Sequence, residues 1–128
     1  MIVAPFLAFV SAIVFIWSAF KYQRSYYALI DLLPLEFQDP LTSRYAAPSI
    51  ALRPGTPLVV QTNFIQAQIG FCCAVLGFSL SGFLFGNFIF CGACLAIFLV
   101  TAPFAMKSWK TYASNRKLPV AQRAGRAD

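Results

Sequence analysis

Residues 65–106 read IQAQIGFCCAVLGFSLSGFLFGNFIFCGACLAIFLVTAPFAM, 42 positions without one charged side chain. As a single helix rising 1.5 Å per residue they would extend about 63 Å, roughly twice the ~30 Å hydrocarbon thickness of a bilayer. One pass cannot use that length. The stretch is expected to cross twice, as a helical hairpin reversing at Gly86 and Asn87, the best turn-forming pair in its interior.

Composition points the same way. Of the 128 residues, 59% are apolar and 11% charged, against about 25% charged in soluble domains, too little polar surface to clothe a water-soluble globule. Residues 1–20 form another charge-free stretch, long enough for one crossing. A cleaved signal peptide would need a basic start and a shorter apolar core, and no Lys or Arg precedes Lys21, so this stretch is expected to remain as the first span. The expected fold is an all-α integral membrane protein with three transmembrane helices. The first covers 1–20, the second 57–85 with its lead-in, and the third 88–109. A Pro-rich segment, 21–56, separates the first two, the turn occupies 86–87, and a basic tail fills 110–128.

Charge orients this arrangement. Lys21, Arg24, Arg44 and Arg53 against Asp31, Glu36 and Asp39 leave the middle segment at +1; Lys107, Lys110, Arg116, Lys117, Arg123 and Arg126 against Asp128 leave the tail at +5, which together make the net +6. Because cations collect on the cytoplasmic side, both segments are expected there, which three spans allow and two do not. The N-terminus and the Gly86–Asn87 tip then lie outside, in the inner or plasma membrane if the source is bacterial. Trp17 and Trp109 fall at the same interface.

The middle segment cannot cross. Asp31, Glu36 and Asp39 within nine residues would each cost about 2.5 kcal/mol or more near the bilayer centre. It is nevertheless rich in apolar residues. Tyr22, Tyr26, Ile30 and Leu33 share one helical stripe, so the first span is expected to continue as an amphipathic helix along the interface until Pro34. Asp39 followed by Pro40 resembles an N-cap with Pro in the first turn, opening a short helix to about Ala46, since Pro48 disfavours continuation. Leu33, Phe37, Leu41 and Tyr45 need cover, and the segment is either a connector resting on lipid or a docking surface for a protein partner. The second span has two candidate starts, Pro57 and a capping box at Asn63 with Gln66.

Small residues suggest where helices approach. Gly70, Ala74, Gly77 and Ser81 repeat at spacings of four, three and four on one stripe of the second span, and Gly92 and Ala96 offer a shorter counterpart on the third. Pro103 is expected to bend or weaken the third span near its exit, where Lys107, Lys110, Arg116 and Lys117 are placed to hold anionic head groups.

Cys72 and Cys73 on one span, with Cys91 and Cys94 on the next, raise redox or metal chemistry. With the turn at Gly86–Asn87 the two pairs lie about 15 Å apart in depth, whereas a turn at Ser81–Gly82 would bring Cys72 level with Cys91. No intramembrane charge stabilises a thiolate, so the cysteines read as small apolar packing residues. The absence of His removes His-ligated haem, His-containing zinc sites and a Ser–His nucleophile. No span holds an ionisable side chain of the kind a proton relay needs, and no phosphate-binding Gly loop is present. No catalytic, cofactor-binding or metal-ligating residue is assigned.

The expected function is that of a small non-enzymatic accessory, assembly or scaffold subunit of a larger membrane complex. Its expected contacts are the lipid bilayer, anionic lipids through the tail, and another membrane protein or further copies of itself, with no nucleic acid. A holin-type pore-forming homo-oligomer is the alternative, against which the long Pro-rich segment argues. A membrane thiol/disulfide protein is a distant third.

Overall fold

A computed structural model describes residues 2–120; the end of the tail falls outside the described residues together with Met1. Four α-helices follow one another: α1 (Val3–Ile30), α2 (Pro40–Ile50), α3 (Leu58–Leu84) and α4 (Phe88–Lys117), with a 3-10 turn at Leu35–Phe37 and no strand among the described residues. Three of them, α1, α3 and α4, are long and apolar enough to cross a membrane. The chain is a multi-pass membrane protein. At 27 to 30 residues these helices run about 40–45 Å, longer than the hydrocarbon, so their ends project beyond it.

The central helix is α3, packed against α1 on one side and α4 on another. The α1–α3 seam is built from small residues on a seven-residue spacing. Ala4, Ser11, Ser18 and Ser25 of α1 are buried, as are Val60, Ala67, Ala74 and Ser81 of α3. The helices run antiparallel and the serines join them: Ser25 Oγ donates to the Val60 carbonyl at 3.2 Å, Ser18 Oγ to the Ala67 carbonyl at 2.5 Å, and Ser81 Oγ to the Ala4 carbonyl at 2.9 Å. Without lipid-excluding pressure between spans, close backbone approach and such bonds are what hold two helices together in a membrane.

The α3–α4 hairpin closes over Gly86 and Asn87. Gly86 has φ +74°, the left-handed region that glycine enters without a Cβ penalty. Its N–H donates to the Phe83 carbonyl at 3.0 Å and that of Asn87 to the Gly82 carbonyl at 2.9 Å, the paired bonds of a Schellman cap. Asn87 then starts the next helix, its Oδ1 accepting from the Phe90 N–H at 3.1 Å. Phe83 and Phe88 meet edge to face across the turn at 5.9 Å.

The segment between α1 and α3 departs from several expectations. α1 runs unbroken to Ile30 and does not turn onto the interface, because Ser25 and Leu29 are buried, Leu29 within a cluster of Ala47, Ala51, Val60 and Phe64. α2 does open on Asp39, whose side chain accepts from the Leu41 N–H at 3.3 Å, but it continues through Pro48 to Ile50. Burial of Ala47 and Ala51 in that same cluster, and the 2.6 Å hydrogen bond between Tyr26 Oη and Ser43 Oγ, outweigh the one backbone bond that Pro48 forgoes. α3 begins at Leu58 after Pro57, so Asn63 is interior to it and caps nothing; its Oδ1 accepts from Lys21 Nζ at 3.3 Å. α4 likewise passes through Pro103 as one helix and extends to Lys117.

Candidate interaction surface and helix-packing seams

Outside the spans, α2 has two unlike faces. Ser43 and Ala47 point inward and are buried, whereas Leu41 is 74% exposed and Tyr45, one turn later, 86% exposed. Phe37, preceding the helix, is 43% exposed. Leu33 differs. It is 5% exposed, so the protein itself covers it, and it does not belong to the surface formed by Phe37, Leu41 and Tyr45.

The loop that follows α2 is fastened by a buried polar clamp. The Gln61 side chain, fully buried, donates through Nε2 to the carbonyls of Thr56 at 2.8 Å and Arg53 at 3.2 Å, and its Oε1 accepts from Asn115 Nδ2 at 3.1 Å. Asn115 Nδ2 also donates to the Leu52 carbonyl at 2.6 Å, while Thr56 Oγ1 donates to that of Ile50 at 2.7 Å. Thr62 and Tyr112 hydroxyls meet at 2.9 Å. The loop between α2 and α3 is thus tied to the start of α3 and the end of α4, its buried carbonyls paired as a low-dielectric site requires. No sequence motif announced Gln61 or Asn115; each is a lone amide whose partner lies 54 residues away.

Of the small-residue positions, Gly70, Ala74, Gly77 and Ser81 are all buried. Gly70 faces Ser18 Cβ and Trp17 Cζ3, each 3.1 Å from where its Cβ would stand, and Gly77 faces the Ser11 hydroxyl. This stripe therefore receives α1. Gly92 and Ala96, the shorter counterpart on the third span, receive neither α1 nor α3: both are exposed, and a Cβ built on Gly92 meets nothing within 4 Å. The close approach to α4 occurs instead at Gly82, where a Cβ would come within 2.8 Å of Phe90 Cδ1 and 3.2 Å of the Cys91 backbone nitrogen. The serine series of α1, which sequence reading passed over, is detectable as a seven-residue repeat of small side chains.

The cysteines are distributed along the α3–α4 contact. Cys72 Sγ lies 3.7 Å from Thr101 Oγ1, whereas Cys91 sits by Ser79, whose Oγ donates to the Cys91 carbonyl at 3.0 Å. The levels of Cys72 and Cys91 are thus about 15 Å apart along α4. All four thiols are free, and no three His, Cys, Asp or Glu side chains among the described residues gather closely enough to hold a metal ion. Buried acceptors without a donor among the described residues are Oε1 of Gln66 and of Gln68, both on α3.

Lys107, Lys110, Arg116 and Lys117 are exposed on the last turns of α4, beside Trp109. Lys21, on α1, stands over the Trp17 ring at 5.5 Å. Cations and indoles therefore mark one end of the bundle, the composition of a membrane–water boundary. Comparison with models of protein families, with curated proteins and with solved structures finds nothing that matches this chain.

Proposed function

We propose that this protein is a non-enzymatic accessory or assembly subunit of a larger membrane complex, with its N-terminus outside and the α2 segment and tail in the cytoplasm. The observation that carries the reading is the outer face of α2. Leu41 and Tyr45 stand exposed one turn apart, on a short helix whose other face is buried and whose supporting loop is clamped by Gln61 and Asn115. An aromatic and aliphatic pair carried on a helix whose other face is packed is the form that anchors of protein interfaces take. The partner it fits is the apolar surface of another membrane protein near the bilayer boundary. Lys107, Lys110, Arg116 and Lys117 contact anionic head groups in this arrangement.

Co-purification in mild detergent tests the docking. Tyr45→Asp and Leu41→Asp each place a charge in the desolvated contact and should release the partner, while the spans, which neither residue touches, still insert. Unchanged recovery of the complex with both substitutions would leave α2 as a connector resting on lipid. Orientation is tested separately by labelling single cysteines, in a cysteine-free background, at positions 44, 87 and 116. Positions 44 and 116 should label from the cytoplasm and 87 from outside.

A further inference from the structure

We propose that the α2–α3 loop and α4 together form a discrete site for the phosphate head group of an anionic phospholipid, with one acyl chain lying in the groove between α1 and α4. This deepens the lipid part of the function proposed above, replacing a diffuse attraction to the tail by a built pocket that draws on a second segment of the chain. A cavity of about 450 Å³ lies between the end of α2 and α4 and is lined by Arg53 and Lys107 together with Ser49, Ser108 and Thr111. No Asp or Glu lines it. Neither cationic side chain is engaged by a carboxylate among the described residues, and the Ser108 hydroxyl has no partner there either, so two charges and a free donor face an unfilled space.

Such a set matches phosphate. Cations and a hydroxyl donor bind its oxygens with charge-assisted bonds, and a pocket without acids repels nothing anionic. Its place matches a lipid rather than a dissolved ion. Lys107 and Trp109 lie where α4 leaves its apolar stretch, the level of head groups. Immediately along α4 is a second cavity, about 350 Å³ and mostly apolar, between Phe15, Ala19 and Tyr22 of α1 and Phe104 and Ala105 of α4, floored by Phe71 of α3, with Ser18, Gln68 and Thr101 as its polar lining. Phe104, Ser108 and Thr111 are related by four and three residues, hence on one face of α4, so the apolar groove meets the polar pocket within about one helical turn. Head group below and chain above is the order that a phospholipid imposes.

The experiment reconstitutes the full chain in vesicles of phosphatidylcholine doped with phosphatidylglycerol, re-extracts it in mild detergent, and measures by mass spectrometry the lipid that stays bound. The wild type should retain phosphatidylglycerol in preference to phosphatidylcholine. Arg53→Gln with Lys107→Gln should lower that preference about tenfold or more, whereas Lys110→Gln with Lys117→Gln, an equal loss of charge outside the pocket, should lower it less than about twofold. Equal losses in the two double variants would overturn the site while leaving diffuse attraction by the tail intact. Ala19→Trp, a neutral filling of the groove at an exposed position, should also cut retention, and retention undiminished by it would refute the acyl-chain half of the proposal. Washing with inorganic phosphate should not release the lipid; release would mean a site for free phosphate instead. Unchanged helical circular dichroism and elution volume establish that each variant is folded.

Discussion

The two seams of α3 solve the same problem differently. Against α1, which is joined to it by a long connecting segment, α3 presents glycines and alanine at four levels and shares three interhelical serine–carbonyl bonds, from Ala4–Ser81 at one end to Ser25–Val60 at the other. Against α4, to which it is joined by a tight turn, it presents one glycine, Gly82, close to that turn, and is bonded along its length by side chains: Ser79 to the Cys91 carbonyl, Cys72 to Thr101, Thr62 to Tyr112 and Gln61 to Asn115. Of the apolar stretches, 44% of that of α3 is buried, 17% of that of α1 and 6% of that of α4. A short connection supplies proximity at little entropic cost, so the hairpin does not depend on a run of small residues; a helix separated by 27 residues of sequence, between Ile30 and Leu58, has to be recognised by its surface.

The contrast can be broken at Gly77. Gly77→Leu drives a side chain into the Ser11 hydroxyl where two backbones approach, and should destabilise the bundle by about 3 kcal/mol or more, seen as loss of α1–α3 crosslinking between cysteines placed across the seam. Gly82→Leu strikes the other seam. It should cost about 1–3 kcal/mol by overpacking against Phe90, yet leave α3 and α4 adjacent because the turn still ties them, so crosslinks across the hairpin should survive. Gly86→Ala sharpens the role of that turn. Forcing an alanine to φ +74° should cost about 1–2 kcal/mol in reversible unfolding from mixed micelles. Ser18→Ala removes one interhelical bond and should cost about 0.6 kcal/mol by the same measurement. Gly92→Leu should change nothing measurable, since its Cβ meets open space.

How much of this was legible depends on what kind of signal each feature leaves. Long charge-free stretches are compositional, and they announce three membrane-length helices without any pattern being needed. Small residues are weaker evidence, because spacing shows where a helix could approach and not whether one arrives. Gly77 and Gly92 look alike in sequence, but one touches Ser11 and the other faces outward. The series Ala4, Ser11, Ser18, Ser25 escaped notice because serine in an apolar run looks incidental until a second helix offers it carbonyls. Pro48 misled about where α2 ends. Proline removes one backbone bond from a helix but does not outweigh burial of the neighbouring face, as Ala47 and Ala51 demonstrate. Gln61 and Asn115 had no local signature at all, since their meaning lies in each other.

That last pair also sets an order of events. The partners of the α1–α3 seam are all present once Ser81 has been synthesised, whereas Gln61 Oε1 meets its donor only when Asn115 emerges, 54 residues after Gln61. During translation the membrane half of the molecule can therefore assemble first. The Gln61 and Thr56 bonds within the α2–α3 loop can form by then, and the two Asn115 bonds, to the Leu52 carbonyl and to Gln61 Oε1, complete the clamp once α4 is in place.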